Sequence, residues 1–205
     1  MGHYFDADPA VASQRRTVSL TLPDLTLQLA TDRGVFARDA VDPGTKLLLL
    51  EAPPPPPTGD LLDLGCGYGP IAVTLARRSP GSTVWALDIN RRALALTAAN
   101  AEAAGATNVR VAEPDDVPED LALDLIWSNP PVRIGKADMQ AILTRWLRRL
   151  SPAGRAVLVV HKHLGADSLT RWLESSGWPT SRLASRMGYR LLQVDPHAGA
   201  AGAGT

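Results

Sequence analysis

The chain has 205 residues, of which 45% are hydrophobic and 20% charged, with 21 basic side chains, 21 acidic ones and a single cysteine. That length supports one sizeable core with a modest appendage, and one thiol excludes an intrachain disulfide or a cysteine-cluster metal site. The balanced charge is unevenly placed: residues 1–132 carry 10 Lys and Arg against 17 Asp and Glu, and residues 133–190 carry 11 against 3, as either a polyanion-binding face or an ordinary solvated face would give.

The first ten residues, "MGHYFDADPA", carry acids and no apolar h-region, so a cytoplasmic protein without a secretory signal is expected. "LLLL" at 47–50, between Lys46 and Glu51, is far too short to cross a bilayer, and no membrane partner is expected. Residues 17–30 alternate apolar and polar on either side of Pro23-Asp24, the pattern of a hairpin with one buried face. Asp42 then stands where it can cap a short helix, with Pro43 in the first turn. Five prolines at 53–57 followed by Thr58-Gly59 predict a stiff connector. The expected organisation is a hairpin-and-helix subdomain over 1–52, the connector over 53–59, a main domain over 60–197 and a flexible Gly/Ala tail over 198–205.

Beyond residue 60 the rhythm becomes strand, helix, strand. "DLLDLG", "STVWALD", "NVRVAE", "LALDLIW" and "RAVLVV" read as strands, and "PIAVTLARR", "RRALALTAANAEAAG", "ADMQAILTRWLRRL" and "GADSLTRWLESSG" as helices. Two last strands are expected near 182–187 and 189–194. Continuous apolar strands between amphipathic helices predict an α/β fold with a mostly parallel seven-stranded sheet, covered on both faces and closed by an antiparallel edge.

The first of these strands opens into Gly65-Cys66-Gly67-Tyr68-Gly69. In open α/β sheets ligands sit at the carboxyl ends of strands, where glycine lets the backbone come close. A dinucleotide fingerprint is G-x-G-x-x-G, whereas this loop is G-x-G-x-G with Asp63 two residues ahead of it. A carboxylate pointing into the loop would repel a pyrophosphate and suit a cationic, phosphate-free cofactor, which is S-adenosylmethionine. "DLGCGYG" resembles motif I of class I methyltransferases. Asp88, at the end of the second strand, is placed to accept from both ribose hydroxyls, with Ile89 beside it. Asp115 is favoured over Asp116 for the adenine amino group. Cys66 is read as a small loop residue, which leaves a covalent cysteine mechanism without a nucleophile.

The fourth strand ends in Ser128-Asn129-Pro130-Pro131. Prolines end strands readily, so a rigid turn is the plain alternative. An exocyclic amine, however, is a poor nucleophile that needs its lone pair aimed at an activated methyl group. The Asn129 side-chain oxygen and the Pro130 carbonyl could accept its two N–H groups and stabilise the charge developing on nitrogen. Pro131 biases Pro130 toward extended backbone.

From "HYF" through "DRGVFARDAVDPGTKLLL", "DLLDLGCGYGPI" and "SNPPVRIGK" to "GADSL" and "GYRLL", the chain resembles the methyltransferase small domain proteins, which include the 16S rRNA guanine-N2 methyltransferases and single-domain relatives. The resemblance implies a Rossmann-like class I fold, S-adenosylmethionine as cofactor, no metal, and an RNA substrate, either rRNA or a ribosomal subunit. It places Phe36 over the cofactor or target base. Methylation of a protein glutamine at N5 uses the same turn and stays open, as does a binding module with little turnover.

Two departures stand out. Val132 occupies the position after Asn-Pro-Pro where many relatives carry a stacking aromatic, leaving Phe36, Tyr4, Phe5 or Tyr189 to stack on the base, or an apolar wall at Val132 itself. The longer rRNA enzymes also carry a second, degenerate copy of the fold, so a monomer or homodimer here must dock RNA with its own basic half, a second subunit or a partner. Arg133 and Lys136 could hold phosphates of a flipped-out nucleotide or be solvated loop charges. The His161-Lys162-His163 run sits on the same rim, with no clustered carboxylate or cysteine to make it a metal pair. Trp146 and Trp172 are read as core.

Overall fold

A computed structural model describes residues 11–131, 134–197 and 199. The chain begins with an antiparallel hairpin, β1 (Arg16–Thr21) and β2 (Thr26–Thr31), followed by α1 (Pro43–Glu51). A seven-stranded sheet follows in chain order as β3 (Thr58–Leu64), α2 (Pro70–Arg78), β4 (Gly81–Leu87), α3 (Arg91–Ala103), β5 (Val109–Ala112), β6 (Leu123–Ser128), α4 (Lys136–Leu147), β7 (Leu150–His161), α5 (Ala166–Ser175), β8 (Thr180–Arg186) and β9 (Tyr189–Val194). Its order is β5-β4-β3-β6-β7-β9-β8. The first five strands of that series are parallel and β9 is antiparallel to both β7 and β8. This is the Rossmann-like architecture expected, with β3 beginning at Thr58.

Each central strand places successive residues in two separate cores. Leu61, Leu125, Val157, Val159 and Leu191 face α1, α2, α3 and the hairpin. Leu62, Ile126, Leu158, Val160 and Leu192 face α4 and α5. Both faces of a parallel sheet are thus covered, which is why its strands read as near-continuous apolar runs.

The hairpin is tied down by side chains. Asn100 of α3 pairs with Ala30 as a strand residue would: its oxygen accepts from Ala30 N–H (2.7 Å) and its nitrogen donates to the Ala30 carbonyl (2.8 Å). The same nitrogen reaches the Tyr68 carbonyl at 2.8 Å. Arg78 grips Asp24 through Nε and Nη2, both at 2.8 Å, and the Asn90 side chain donates to the Gly34 carbonyl.

Three boundaries fall where local chemistry puts them. Asp42 caps α1 by accepting from Thr45 N–H at 3.0 Å, with Pro43 at its start. β8 and β9 are joined by Met187-Gly188, both with positive φ (50° and 81°), the backbone of a two-residue hairpin turn. β7 starts five residues ahead of "RAVLVV", through Pro152 and Gly154. There it pairs only with β6, across an irregular register, because β9 joins from Ala156 onward. Proline is tolerated where no neighbour requires its N–H.

Candidate active site

The order β4-β3-β6 puts the reversal of strand order along the sheet between β3 and β6, where open α/β folds bind ligands. β3 and β6 run side by side, with Asp63 opposite Trp127, and the Ser128 hydroxyl donates to the Leu64 carbonyl at 2.7 Å. The glycine loop and the Asn-Pro-Pro turn are therefore fastened next to each other. Over them lies a cavity of about 680 Å³, walled by segments from Val35 to Tyr189.

Of the residues expected to hold a cofactor, Gly65, Gly67, Asp88, Ile89, Asp115 and Asn129 line this cavity. Gly65 (φ 79°) and Gly67 (φ 58°) have left-handed backbones, and a Cβ at either would meet no protein atom within 4 Å. Their clearance belongs to whatever fills the cavity. Gly69 does a different job: it caps α2 at φ 90°, and a Cβ there would lie 2.9 Å from Thr97.

Asp88 follows β4, where its Oδ2 accepts from Gly67 N–H (2.9 Å) and its Oδ1 from Asn90 N–H (2.9 Å). Burial pushes its carboxyl up, partly offset by these bonds and by the Ile89 N–H. A carboxylate offers about four lone-pair sites, so acceptor capacity remains for hydroxyls in the cavity.

Asp63 is placed otherwise than expected. It is fully buried beneath the loop, its Oδ2 accepting from Ala72 N–H of α2 at 2.9 Å and its Oδ1 without a hydrogen-bond partner. Burial raises its carboxyl well above the ordinary range, and the Asp88 charge raises it further. Acidic side chains stand instead in the cavity wall, where Asp42, Asp88, Glu113 and Asp115 are joined, among the described residues, by Arg145. That arginine is bonded to Asp115 Oδ1 (2.8 Å) and the Pro114 carbonyl (2.7 Å). Asp115 is thus engaged by Arg145, and its side chain is 89% exposed. Cys66 is buried, accepts from the Thr97 hydroxyl at 3.5 Å, and is raised well above its ordinary range by burial and the charges of Asp88 and Asp63. A thiol so held is no nucleophile at neutral pH.

Asn129 donates from its amide nitrogen to Asp42 Oδ2 (2.9 Å) and Thr45 Oγ1 (3.0 Å). Both amide protons are used, which leaves the side-chain oxygen as the half with capacity for a ligand. Pro130 and Pro131 line the cavity beside it, as do Phe36 and Tyr189. Lys136 is exposed at the start of α4 and does not line the cavity. Val132, Arg133, Tyr4, Phe5 and the 198–205 tail apart from Gly199 lie outside the described residues.

Sequence reasoning took Trp146 as core and gave Asp42 only a capping role. Trp146 is 1% exposed, yet it also forms part of the cavity wall, with the Arg145 guanidinium over its ring. His161 and His163 reach the rim, and the His161 ring meets Tyr189 edge-on at 4.9 Å. Among the described residues no group of His, Cys, Asp and Glu is arranged to hold a metal ion, and no helix is long and apolar enough to cross a membrane.

The model of the methyltransferase small domain matches residues 26–193. The uncharacterized protein YbxB of Bacillus subtilis (strain 168) is 34% identical over 94% of this chain and 97% of its own length. Ribosomal RNA small subunit methyltransferase C of Ectopseudomonas mendocina (strain ymp) is 37% identical over 92% of this chain, which spans 57% of that enzyme. Among solved structures, a T. thermophilus 16S rRNA N2 methyltransferase (RsmC) in complex with AdoMet and guanosine superposes with a TM-score of 0.70, covering 92% of this chain and 52% of that one at 23% identity. The fold, the glycine cradle and the match over most of the chain agree: it belongs to the methyltransferase small domain family of S-adenosylmethionine-dependent enzymes.

Proposed function

We propose that the protein methylates the exocyclic N2 amine of a guanine in small-subunit ribosomal RNA. The observation that carries this reading is the state of Asn129: its nitrogen is fully engaged by Asp42 and Thr45, and its oxygen is left for the cavity beside the glycine loop. An amide oxygen in that position accepts from an N–H donor. The relatives at 34–37% identity over most of this chain include rRNA methyltransferases, which favours an RNA amine over other amines.

In this reading Gly65, Gly67, Asp88 and Ile89 hold the donor, Asp88 by accepting from ribose hydroxyls and the glycines by leaving the backbone bare. S-adenosylmethionine supplies a methyl group already activated by a sulfonium. Asn129 Oδ1 and the Pro130 carbonyl accept the two N–H groups of the target amine, so that its lone pair points away from both. Both acceptors also stabilise the positive charge that develops on nitrogen; no base is needed during the transfer, because the S–CH3 bond breaks to leave a neutral thioether and the methylated nitrogen releases its extra proton to water afterwards. Pro131, lacking an N–H, leaves the turn without a competing donor. Phe36 and Tyr189 offer aromatic surface to the base among the described residues, and Lys136 is within the same turn-to-helix segment for a phosphate.

The test is Asn129→Ala. Turnover on 16S rRNA is expected to fall by about 10²–10³-fold, as for loss of one preorganised hydrogen-bonding group, while calorimetric donor affinity changes by less than about threefold. Equal loss of both would contradict the role given to Asn129. Mass-spectrometric mapping of rRNA nucleosides with and without the protein identifies the base. Label from tritiated donor appearing in protein rather than RNA would overturn the substrate.

A further inference from the structure

Asp42 and Asn129 are 87 residues apart in sequence, and a single carboxylate oxygen serves both the α1 cap and the Asn129 amide. The other oxygen accepts a longer bond from the Tyr189 hydroxyl at 3.4 Å. We propose that Asp42 is the positioning residue of this site: by accepting from the Asn129 amide nitrogen it fixes the orientation that presents Asn129 Oδ1 to the target amine. This rests on the reading of Asn129 just given and adds to it the group that makes that oxygen available.

The physical case is one of donor and acceptor parity. The two ends of a side-chain amide have nearly the same shape and exchange places by a half-turn about χ2, so only hydrogen-bond partners decide which end faces the ligand. Thr45 cannot decide, because a hydroxyl donates as readily as it accepts. A carboxylate can only accept. Turned over, the amide would set its oxygen against Asp42 Oδ2 and its NH2 against the N–H groups of the target amine, two mismatches at once.

The Asp42 charge has a second effect. It draws the amide protons toward itself and leaves Oδ1 more negative, which strengthens it as an acceptor where positive charge develops. That charge is also felt nearby, where after burial it is the next cause raising the phenols of Tyr68 and Tyr189. Four consecutive residues build the bracket. Asp42 is the acceptor, Pro43 starts the helix, Gly44 gives clearance and Thr45 takes the second amide proton. A Cβ at Gly44 would stand 2.5 Å from the Tyr189 ring and 2.9 Å from Asp42 Oδ2.

Capping alone would also account for an aspartate here, and two variants separate the roles. Asp42→Ser retains an N-cap oxygen but is one bond too short to reach Asn129. Asp42→Asn retains both the cap and an acceptor of the same reach, without the charge. The first readout needs neither donor nor RNA: the side-chain 15N–1H2 signals of Asn129, identified by their loss in Asn129→Ala. In the wild type and Asp42→Asn they should exchange slowly with solvent, and in Asp42→Ser rapidly. The second is transfer of tritiated methyl to 16S rRNA, where kcat should fall about 10–100-fold in Asp42→Ser, the scale of a misplaced reacting group. Donor affinity and Tm should stay near wild type, and Asp42→Asn should recover part of the rate.

Slow amide exchange in Asp42→Ser, or a wild-type kcat in that variant, overturns the proposal. If Asn129→Ala is itself fully active, the reading of Asn129 fails first. If that variant is dead while Asp42→Ser is fully active, only the role of Asp42 fails. If the wild type methylates no rRNA, the substrate assignment fails and the amide signals still decide Asp42.

Discussion

Asp63 and Asp88 sit at the ends of adjacent strands, one beneath the glycine loop and one above it. Both carboxyls are raised by burial, Asp63 further because it is the more deeply buried, gains one backbone bond where Asp88 gains three, and lies beside the Asp88 charge. Their expected consequences differ. Asp88→Ala removes a charged acceptor facing the cavity and should weaken donor binding by about 10–100-fold by calorimetry, since a hydrogen bond to a charged group contributes about 1.5–3 kcal/mol. Asp63→Asn should leave donor affinity within a few-fold and change the pH dependence of stability. A carboxyl raised in the folded state keeps a proton that the unfolded chain has already released, so stability falls as pH climbs above about 4, at no more than about 1.4 kcal/mol per pH unit for one group. Thermal melts between pH 5 and 8 should show Tm declining with pH in the wild type and declining less in Asp63→Asn. Asp24, held below its ordinary range by its bond to Arg78, acts in the opposite sense, and only in acid below that window. The sequence marked Asp63 by its place in a motif. Which side of the loop its carboxyl occupies depended on the N-terminus of α2, whose Ala72 N–H claims it.

The elements were legible because apolar runs dominate them. α2 matches "PIAVTLARR" residue for residue, and the two-core alternation of β3, β6 and β7 follows from the apolar runs Leu61-Leu62, Leu125-Ile126-Trp127 and Ala156–Val160. What could not be read was work done by side chains across elements. Asn100 lies in an Ala-rich helix where a polar residue ordinarily faces water, yet it is 2% exposed and completes the edge of β2. Asn100→Ala leaves the Ala30 N–H and carbonyl without their partner. At about 1–3 kcal/mol for such groups, the variant should lower the Tm by several degrees and open the β1–β2 amides to hydrogen exchange ahead of the main sheet. The early start of β7 was hidden for a related reason. Pro152 and Gly154 are strand breakers in isolation and become acceptable only once β9 is seen to stop short of them.

At the scale of the whole molecule, several cations of the basic half are engaged by other parts of the chain. Arg145 pairs with Asp115, Arg186 with Glu51 and Arg190 with Asp167, while Arg149 and Arg155 donate to the carbonyls of Pro118 and Pro54. Arg145, Arg149, Arg155 and Arg186 thus join that half to the first half, while Arg190 pairs within its own half, contacts invisible to composition. The site is distributed in the same way. Its wall takes Phe36 and Asp42 from before the main sheet, the glycine loop and Asp88 from its first half, Asn129 from its middle and Tyr189 from its last strand. A ribosome delivering this chain from its amino end therefore releases the cradle for the donor long before the strand that carries Tyr189. The Asp42 bracket meets its tyrosine only after β9 has emerged, so the cavity stays unwalled on that side until the sheet receives that strand.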